Sequence, residues 1–211
     1  MKEIIVIGGG GFAKEVVWLA HDCNRKVRGV LDDNASTHGT DVQGVNVLGS
    51  VDTWVDYSLD CEFIIAIGSP RTRKAVLDKM QLLGKPSFAT LIHPSVRYSN
   101  TVSIGKGSII GAGSILTADI ELGTHNILNL NVTVGHECKF GDFITIAPMA
   151  AVSGNVLLDD LVEVGTGATI RQGLNLQKGS MLGMGGVLTK NIPERTIFAG
   201  NPAKKLKEIA E

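Results

Sequence analysis

A chain of 211 residues has room for one large domain or two small ones. Its net charge of −1 argues against a nucleic-acid surface, and no apolar run approaches the roughly 18 residues of a membrane span. Three cysteines, Cys23, Cys61 and Cys138, form neither an even set nor a CxxC pair, which points to a reduced, cytoplasmic protein without a disulfide framework.

The N-terminal stretch MKEIIVIGGGGFAKEV has too short an apolar segment for a signal peptide. It reads as a β-branched strand, Ile4 to Ile7, a glycine turn, and a helix from Phe12 to His21. A second strand, Val27 to Leu31, stops at Asp32-Asp33-Asn34. A weaker one follows near Val45 to Leu48. Phe63 to Ile67 is a further strand, stopped by Gly68-Ser69-Pro70, and Thr72 to Leu83 a second helix, stopped by Gly84. Strands alternating with helices predict a parallel α/β sheet over residues 1–91. Gly8-Gly9-Gly10-Gly11-Phe12-Ala13 fits GxGxxA between strand and helix, with Asp32 and Asp33 about 20 residues on, the dinucleotide fingerprint. About 90 residues hold only one mononucleotide half of that fold. Glycines at a helix N-terminus also suit the diphosphate of a nucleotide sugar.

From Ile92 the period changes. Every sixth residue through Leu188 is apolar or aromatic, without one exception or insertion. The next place is often glycine, as at Gly105, Gly123, Gly135 and Gly165. Four places on stands a smaller or β-branched residue, such as Ser114, Val132 or Ala150. A strict period of six predicts a three-sided parallel β-helix over 92–192, about 18 residues per coil. Residues 18 apart then stack about 4.8 Å apart. The last coil leaves a strand edge. The terminal segment 193–211 is expected to cover it, with Pro202 to Ala210 as a short helix. Ile144 and Val162 are placed on the outer faces, where they favour side-to-side association.

On this ruler His136 falls near a corner, with Ala118 one coil below and Gly154 one coil above. Small neighbours leave room for a ligand beside the imidazole. Glu137 can orient the ring. A base with an ordinary pKa of roughly 6.5 suits deprotonation of an amine nucleophile. The Gly154 N–H is a candidate oxyanion donor.

Three stretches carry a resemblance. Asn131-Val132-Thr133-Val134-Gly135-His136-Glu137-Cys138 resembles the [ST]-x-x-[IV]-x-H-[ED]-C stretch of the sialic-acid and bacillosamine-pathway acetyltransferases, the NeuD-like and PglD-like hexapeptide-repeat family. Ser153-Gly154-Asn155-Val156 is similar to their AGxV segment, and Gly200-Asn201-Pro202-Ala203-Lys204 to their closing G-x-P-A-K. The resemblance implies a left-handed β-helix behind an N-terminal half-Rossmann domain. It implies a homotrimer with the active site at the subunit interface, and acetyl-CoA as co-substrate. It implies His136 as base, Glu137 as its support and the Gly154 amide facing the thioester. Coenzyme contacts are expected at Thr145, Gly154, Thr166, Met184, Pro202 and Lys204, with Thr166 and Met184 continuing the groove above His136. Thr145 stands where some members place a second histidine, so any acetyl contact there falls to a hydroxyl.

In the N-terminal half, Gly10, Gly11, Asp32, Asp33, Gly68 and Arg73 match the family's GxGGHAK, DD and IG-x-x-x-x-R, which favours a nucleotide sugar over NAD. Phe12 replaces a histidine common among relatives and points to packing or stacking on the substrate. Asn129 matches a family asparagine near the sugar amine. The expected activity is N-acetylation of the 4-amino group of a UDP- or dTDP-linked amino-dideoxy sugar for surface glycans. The alternatives are O-acetylation and a non-catalytic nucleotide- or NAD-sensing scaffold. Some hexapeptide β-helices are zinc carbonic anhydrases, but counted in eighteens His93, His125 and His136 share no face, so no metal is expected.

Overall fold

The computed structural model describes residues 2–209. The chain divides into two compact units, residues 1–94 with 106–108, and residues 95–105 with 109–211.

In the first unit, β-branched and aromatic runs form the parallel core. Strands β1 (Glu3–Ile7), β2 (Val27–Leu31), β3 (Asp41–Val42), β4 (Val45–Gly49) and β5 (Cys61–Ile65) pair in the order β3-β4-β2-β1-β5. Ile4, Ile5, Val6 and Ile7 are buried, as continuous apolar runs in a covered parallel sheet should be. Helices α1 (Gly11–Asp22) and α2 (Pro70–Gln81) follow β1 and β5. Helix α1 buries Ala13, Val16, Val17 and Ala20, a 3–4 spacing that makes one apolar stripe. Helix α2 begins two residues before the expected Thr72, because Pro70 suits the first turn and the Ser69 hydroxyl caps the Thr72 N–H. The sequence reading missed the 3₁₀ segment Val51–Tyr57, whose Trp54 is buried edge-on against Phe63 with ring centroids 5.4 Å apart. β1 is flanked by β2 on one side and β5 on the other, so the strand order reverses at β1. Ligands of open parallel sheets bind beyond the strand C-termini at such a switch point.

The second unit is the left-handed parallel β-helix, built of two-residue strands that pair with strands 18 residues away. Tyr98 in the first coil is half exposed, whereas from Ile110 to Leu188 the second residue of each pair faces inward and is buried, as Leu116, Leu122 and Leu128 show. The fourth residue after it faces inward too. Ile144 and Val162 occupy that place and are 0% exposed, which corrects their expected outward position. The glycine after the inward aliphatic is required by space, since a Cβ on Gly135 would lie 2.5 Å from the Gly154 nitrogen one coil on.

Two places later the chain turns with positive φ. Residues 107 to 185 do so at fourteen successive sites six apart. Six are glycine and three are Asp119, Asn131 and Asn155, residue types that tolerate this conformation. Phe143, Met149 and Leu161 adopt it as well, at a local cost of about 1 kcal/mol each.

The C-terminal cap is a hairpin rather than a helix. Thr196–Ala199 pairs in parallel with Met181–Leu182, and Lys204–Glu208 turns back antiparallel to it. Adding strands satisfies the open edge directly, and the lysines of Lys204–Glu208 blunt the new one. Of the expected terminal helix, Ala210 lies outside the described residues, as does Glu211.

Candidate active site

The turn after Thr133–Val134 carries His136 outward. Glu137 takes the left-handed place, φ 60°, which swings its carboxylate back beside the ring. His136 Nδ1 and Glu137 Oε2 are 2.9 Å apart. A carboxylate only accepts, so this pair puts the proton of the neutral ring on Nδ1 and leaves Nε2 as an acceptor. One coil on, a Cβ added to Gly154 would lie 2.7 Å from Nε2, so the imidazole occupies the space that glycine leaves. The Asn155 N–H donates to the His136 carbonyl at 2.7 Å and fixes the two turns to each other.

An open cleft of about 690 Å³ runs along this corner, from His136 and Glu137 through Ser153, Gly154 and Asn155 to Arg171, Gln172 and Gly173. Arg171, Gln172 and Asn155 escaped the sequence reading. Counting 18 from Gly154 finds Gln172 at once.

Other expected site residues stand elsewhere on the prism. Thr145 lies in the face that pairs Ile127, Thr145 and Glu163. The corner after that face holds Asn129 and stacks Pro148, Thr166 and Met184. There Gly167 N–H donates to the Pro148 carbonyl at 3.0 Å and Gly185 N–H to the Thr166 carbonyl at 2.8 Å. Pro202 follows Gly200, whose carbonyl accepts from Val187, so the cap turn meets the face next to that corner. Lys204 opens the exposed edge strand. Thr166 and Met184 therefore do not continue the His136 groove within one chain. The step from Gly154 to Thr166 is 12 residues, which leads to a different corner.

In the α/β unit the acidic pair is engaged with the protein. Asp32 Oδ2 accepts from Gly9 N–H at 2.5 Å and Oδ1 from Asn34 N–H at 2.7 Å. Asp33 accepts from Val51 N–H at 3.0 Å and pairs with Lys79 at 2.8 Å. Burial works against ionisation of Asp33, but the Lys79 ammonium and the Val51 N–H outweigh it and hold the carboxyl below the usual carboxylate value.

Arg73, expected at the substrate, is 1% exposed and donates to the Ile67 and Gly68 carbonyls at 2.6 and 3.0 Å. It shapes the loop after β5 from within. Gly10, Gly11 and Gly68 face open space, and no side chain caps α1 at Gly10. The Ala13 N–H of the first turn donates to the Gly10 carbonyl at 3.0 Å, and Phe12 beside it is half-buried.

Among the described residues no group of three or more His, Cys, Asp or Glu side chains could hold a metal ion, and no helix is long and apolar enough to cross a membrane. His125 is buried, stacked on Phe143 at 5.1 Å.

A family model described as the PglD N-terminal domain matches residues 3–80. The fold is similar to PerB from Caulobacter crescentus in complex with CoA and GDP-perosamine, with TM-score 0.89, 29% identity and 98% of each chain covered. It is similar also to the acetyltransferase domain of PglB from Neisseria gonorrhoeae FA1090 in complex with acetyl coenzyme A. That match has TM-score 0.90 and 34% identity, and covers 97% of this chain and 99% of that one. The GDP-perosamine N-acetyltransferase of Escherichia coli O157:H7 is 30% identical over 213 residues, covering 96% of this chain and 95% of that protein. With such identity across nearly the whole of both chains, this protein belongs to the nucleotide-sugar N-acetyltransferase family.

Proposed function

We propose that the protein transfers the acetyl group of acetyl-CoA to the 4-amino group of a nucleotide-linked amino-dideoxy sugar. The observation that carries this is the His136–Glu137 pair packed against the Cβ-less Gly154 in the wall of an open cleft. The amine attacks the thioester carbonyl carbon, forming the C–N bond and an oxyanion. His136 Nε2 takes the amine proton, with Glu137 steadying the imidazolium. The Gly154 N–H stabilises the oxyanion. Collapse breaks the C–S bond, and the departing thiolate recovers the proton from His136. The nucleotide is assigned to the loops after β1 and β5, through Gly10, Gly11, Phe12 and Gly68, with Asp32 and Arg73 holding those loops in shape and Asp33 fixing the loop after β2.

The coenzyme groove is assigned to Gly154 and Gln172 on one copy. A second copy supplies the corner of Asn129, Thr166 and Met184, with Thr145 on the face before it, Pro202 in the cap turn and Lys204 beyond. This reading requires a cytoplasmic homotrimer of three 22.3 kDa chains, and a stable monomer in sedimentation would remove it. GDP-perosamine heads the substrate panel because a relative across the whole chain acts on it, followed by UDP- and dTDP-linked 4-amino sugars. His136→Ala should lower kcat by roughly 10²–10⁴ on the best substrate. Near-normal turnover would sink the base assignment, and release of CoA with hydroxyl acceptors alone would shift the reaction to O-acetylation.

A further inference from the structure

The amide two places after the inward aliphatic has the same setting at several corners of the β-helix. Leu130, Asp142 and Gly154 hold that place after Leu128, Phe140 and Val152. In each case a wholly buried side chain 15 residues earlier donates to the carbonyl just before the amide. Ser114 Oγ reaches the Asn129 carbonyl at 2.9 Å, Asn126 Nδ2 the Gly141 carbonyl at 2.9 Å, and Cys138 Sγ the Ser153 carbonyl at 3.2 Å.

The C=O and N–H of a trans peptide point to opposite sides. A carbonyl drawn into the prism therefore turns the next N–H outward. At two of these corners that N–H meets a side-chain oxygen. Leu130 N–H donates to Asn129 Oδ1 at 2.7 Å, and Asp142 N–H to the Asp160 carboxylate at 2.9 Å. Thr124, at the same place in its repeat, donates to the Asp142 carboxylate at 2.6 Å. The repeat thus aims this amide at a side-chain acceptor oxygen, a carboxylate at two of the three places, at the distance that an oxyanion donor needs. Beside Gly154 the corresponding space belongs to the His136 cleft.

We infer that Cys138 is a positioning residue: its thiol holds the Ser153 carbonyl inward and so aims the Gly154 N–H into the cleft, toward the oxyanion of the reaction. The inference rests on the acetyl-transfer reading and adds to it a buried group that touches no substrate.

Two variants separate the hydrogen bond from packing. Cys138→Ser keeps a donor, whereas Cys138→Val removes it and leaves a side chain that the repeat already accommodates at Val132, Val156 and Val162. Steady-state kinetics on the full chain, with acetyl-CoA and the best amine acceptor, are read beside thermal melts. The Val variant should lose about tenfold in kcat, less than the 10²–10³ of deleting an oxyanion donor, because the N–H remains but is mis-aimed. Its KM for acetyl-CoA should stay within about twofold of wild type, and the Ser variant should keep kcat within about threefold. An active wild type with unchanged kcat in Cys138→Val would overturn the inference. Equal losses in both variants, tracking their melting temperatures, would overturn it too, since packing alone would then explain them. A wild type that acetylates no amine fails at the acetyl-transfer reading itself, and the role of Cys138 falls with it.

Discussion

Gly154→Ala tests the geometry of the cleft with one methyl group. The added Cβ would lie 2.7 Å from both Nε2 and Cε1 of His136 and 3.1 Å from Cδ2, where ordinary contact begins near 3.4 Å. The ring must therefore retreat by about 0.7 Å, which loosens its bond to Glu137. Misplacing a reacting group by about 1 Å costs on the order of 10²-fold in rate, so kcat should fall between about 10- and 10²-fold. Stability should barely move. The φ of Gly154 lies outside the left-handed region, so alanine meets no backbone strain there, and the atoms it strikes end a flexible, exposed side chain. A change within about 0.5 kcal/mol is expected from urea unfolding. The assay is release of free CoA, detected by a thiol reagent under saturating acetyl-CoA. A kcat within threefold of wild type would show that His136 need not sit over Gly154 for the chemistry. A large loss of stability would instead place the strain in the coil and refute the reasoning from the ring.

Gly105→Ala should behave in the opposite way. Its Cβ would strike the Gly123 carbonyl group and lie 2.8 Å from Thr124 N, all backbone of the next coil, so nothing flexible can yield. A loss of about 1–3 kcal/mol or more is expected in urea unfolding, and an unchanged midpoint would disprove that glycine there serves stacking. Asp33→Asn probes the loop after β2. Because the folded carboxyl titrates below its unfolded value, its contribution is present above about pH 4 and is lost as pH falls through the folded value. Both partners of the Lys79 pair are nearly half exposed, so the variant should cost under about 1 kcal/mol at pH 7. The difference from wild type should vanish near pH 2, and an equal cost at both pH values would rule out the ionic account.

The period of six was legible because one inward aliphatic recurs from Ile92 to Leu188, and only a coil with three equal sides demands that. The period alone did not say which other residues face inward. Ile144 and Val162, expected on the outer faces, stand at the same place of the repeat as Ser114 and Cys138, and all four are turned into the prism. The left-handed turns left no consistent mark either. Phe143, Met149 and Leu161 sit in them against their own preference, held by pairing above and below. The terminal strand Lys204–Glu208 was invisible for a related reason. Its sequence KKLKE has low strand propensity, and the partner Thr196–Ala199 imposes the conformation.

The same spacing explains why the site residues divided. Steps of 18 keep a ligand on one corner, and His136, Gly154 and Gln172 obey them. Asn129 precedes His136 by seven and Thr145 follows it by nine, intervals that carry the chain past a flat face to another side of the prism. No rearrangement of one rigid coil can bring such residues together, because each is fixed by pairing to the coils on either side. Residues of both sets can share one acetyl-CoA only if the corner of one copy lies against the next corner of another. Repeating that contact by a closed three-fold rotation gives every copy the same pair of half-sites, with no half-site left unpaired. The proposed trimer thus rests on the proposal that both sets of residues share one acetyl-CoA, and not on exposed apolar area, since Ile144 and Val162 are buried.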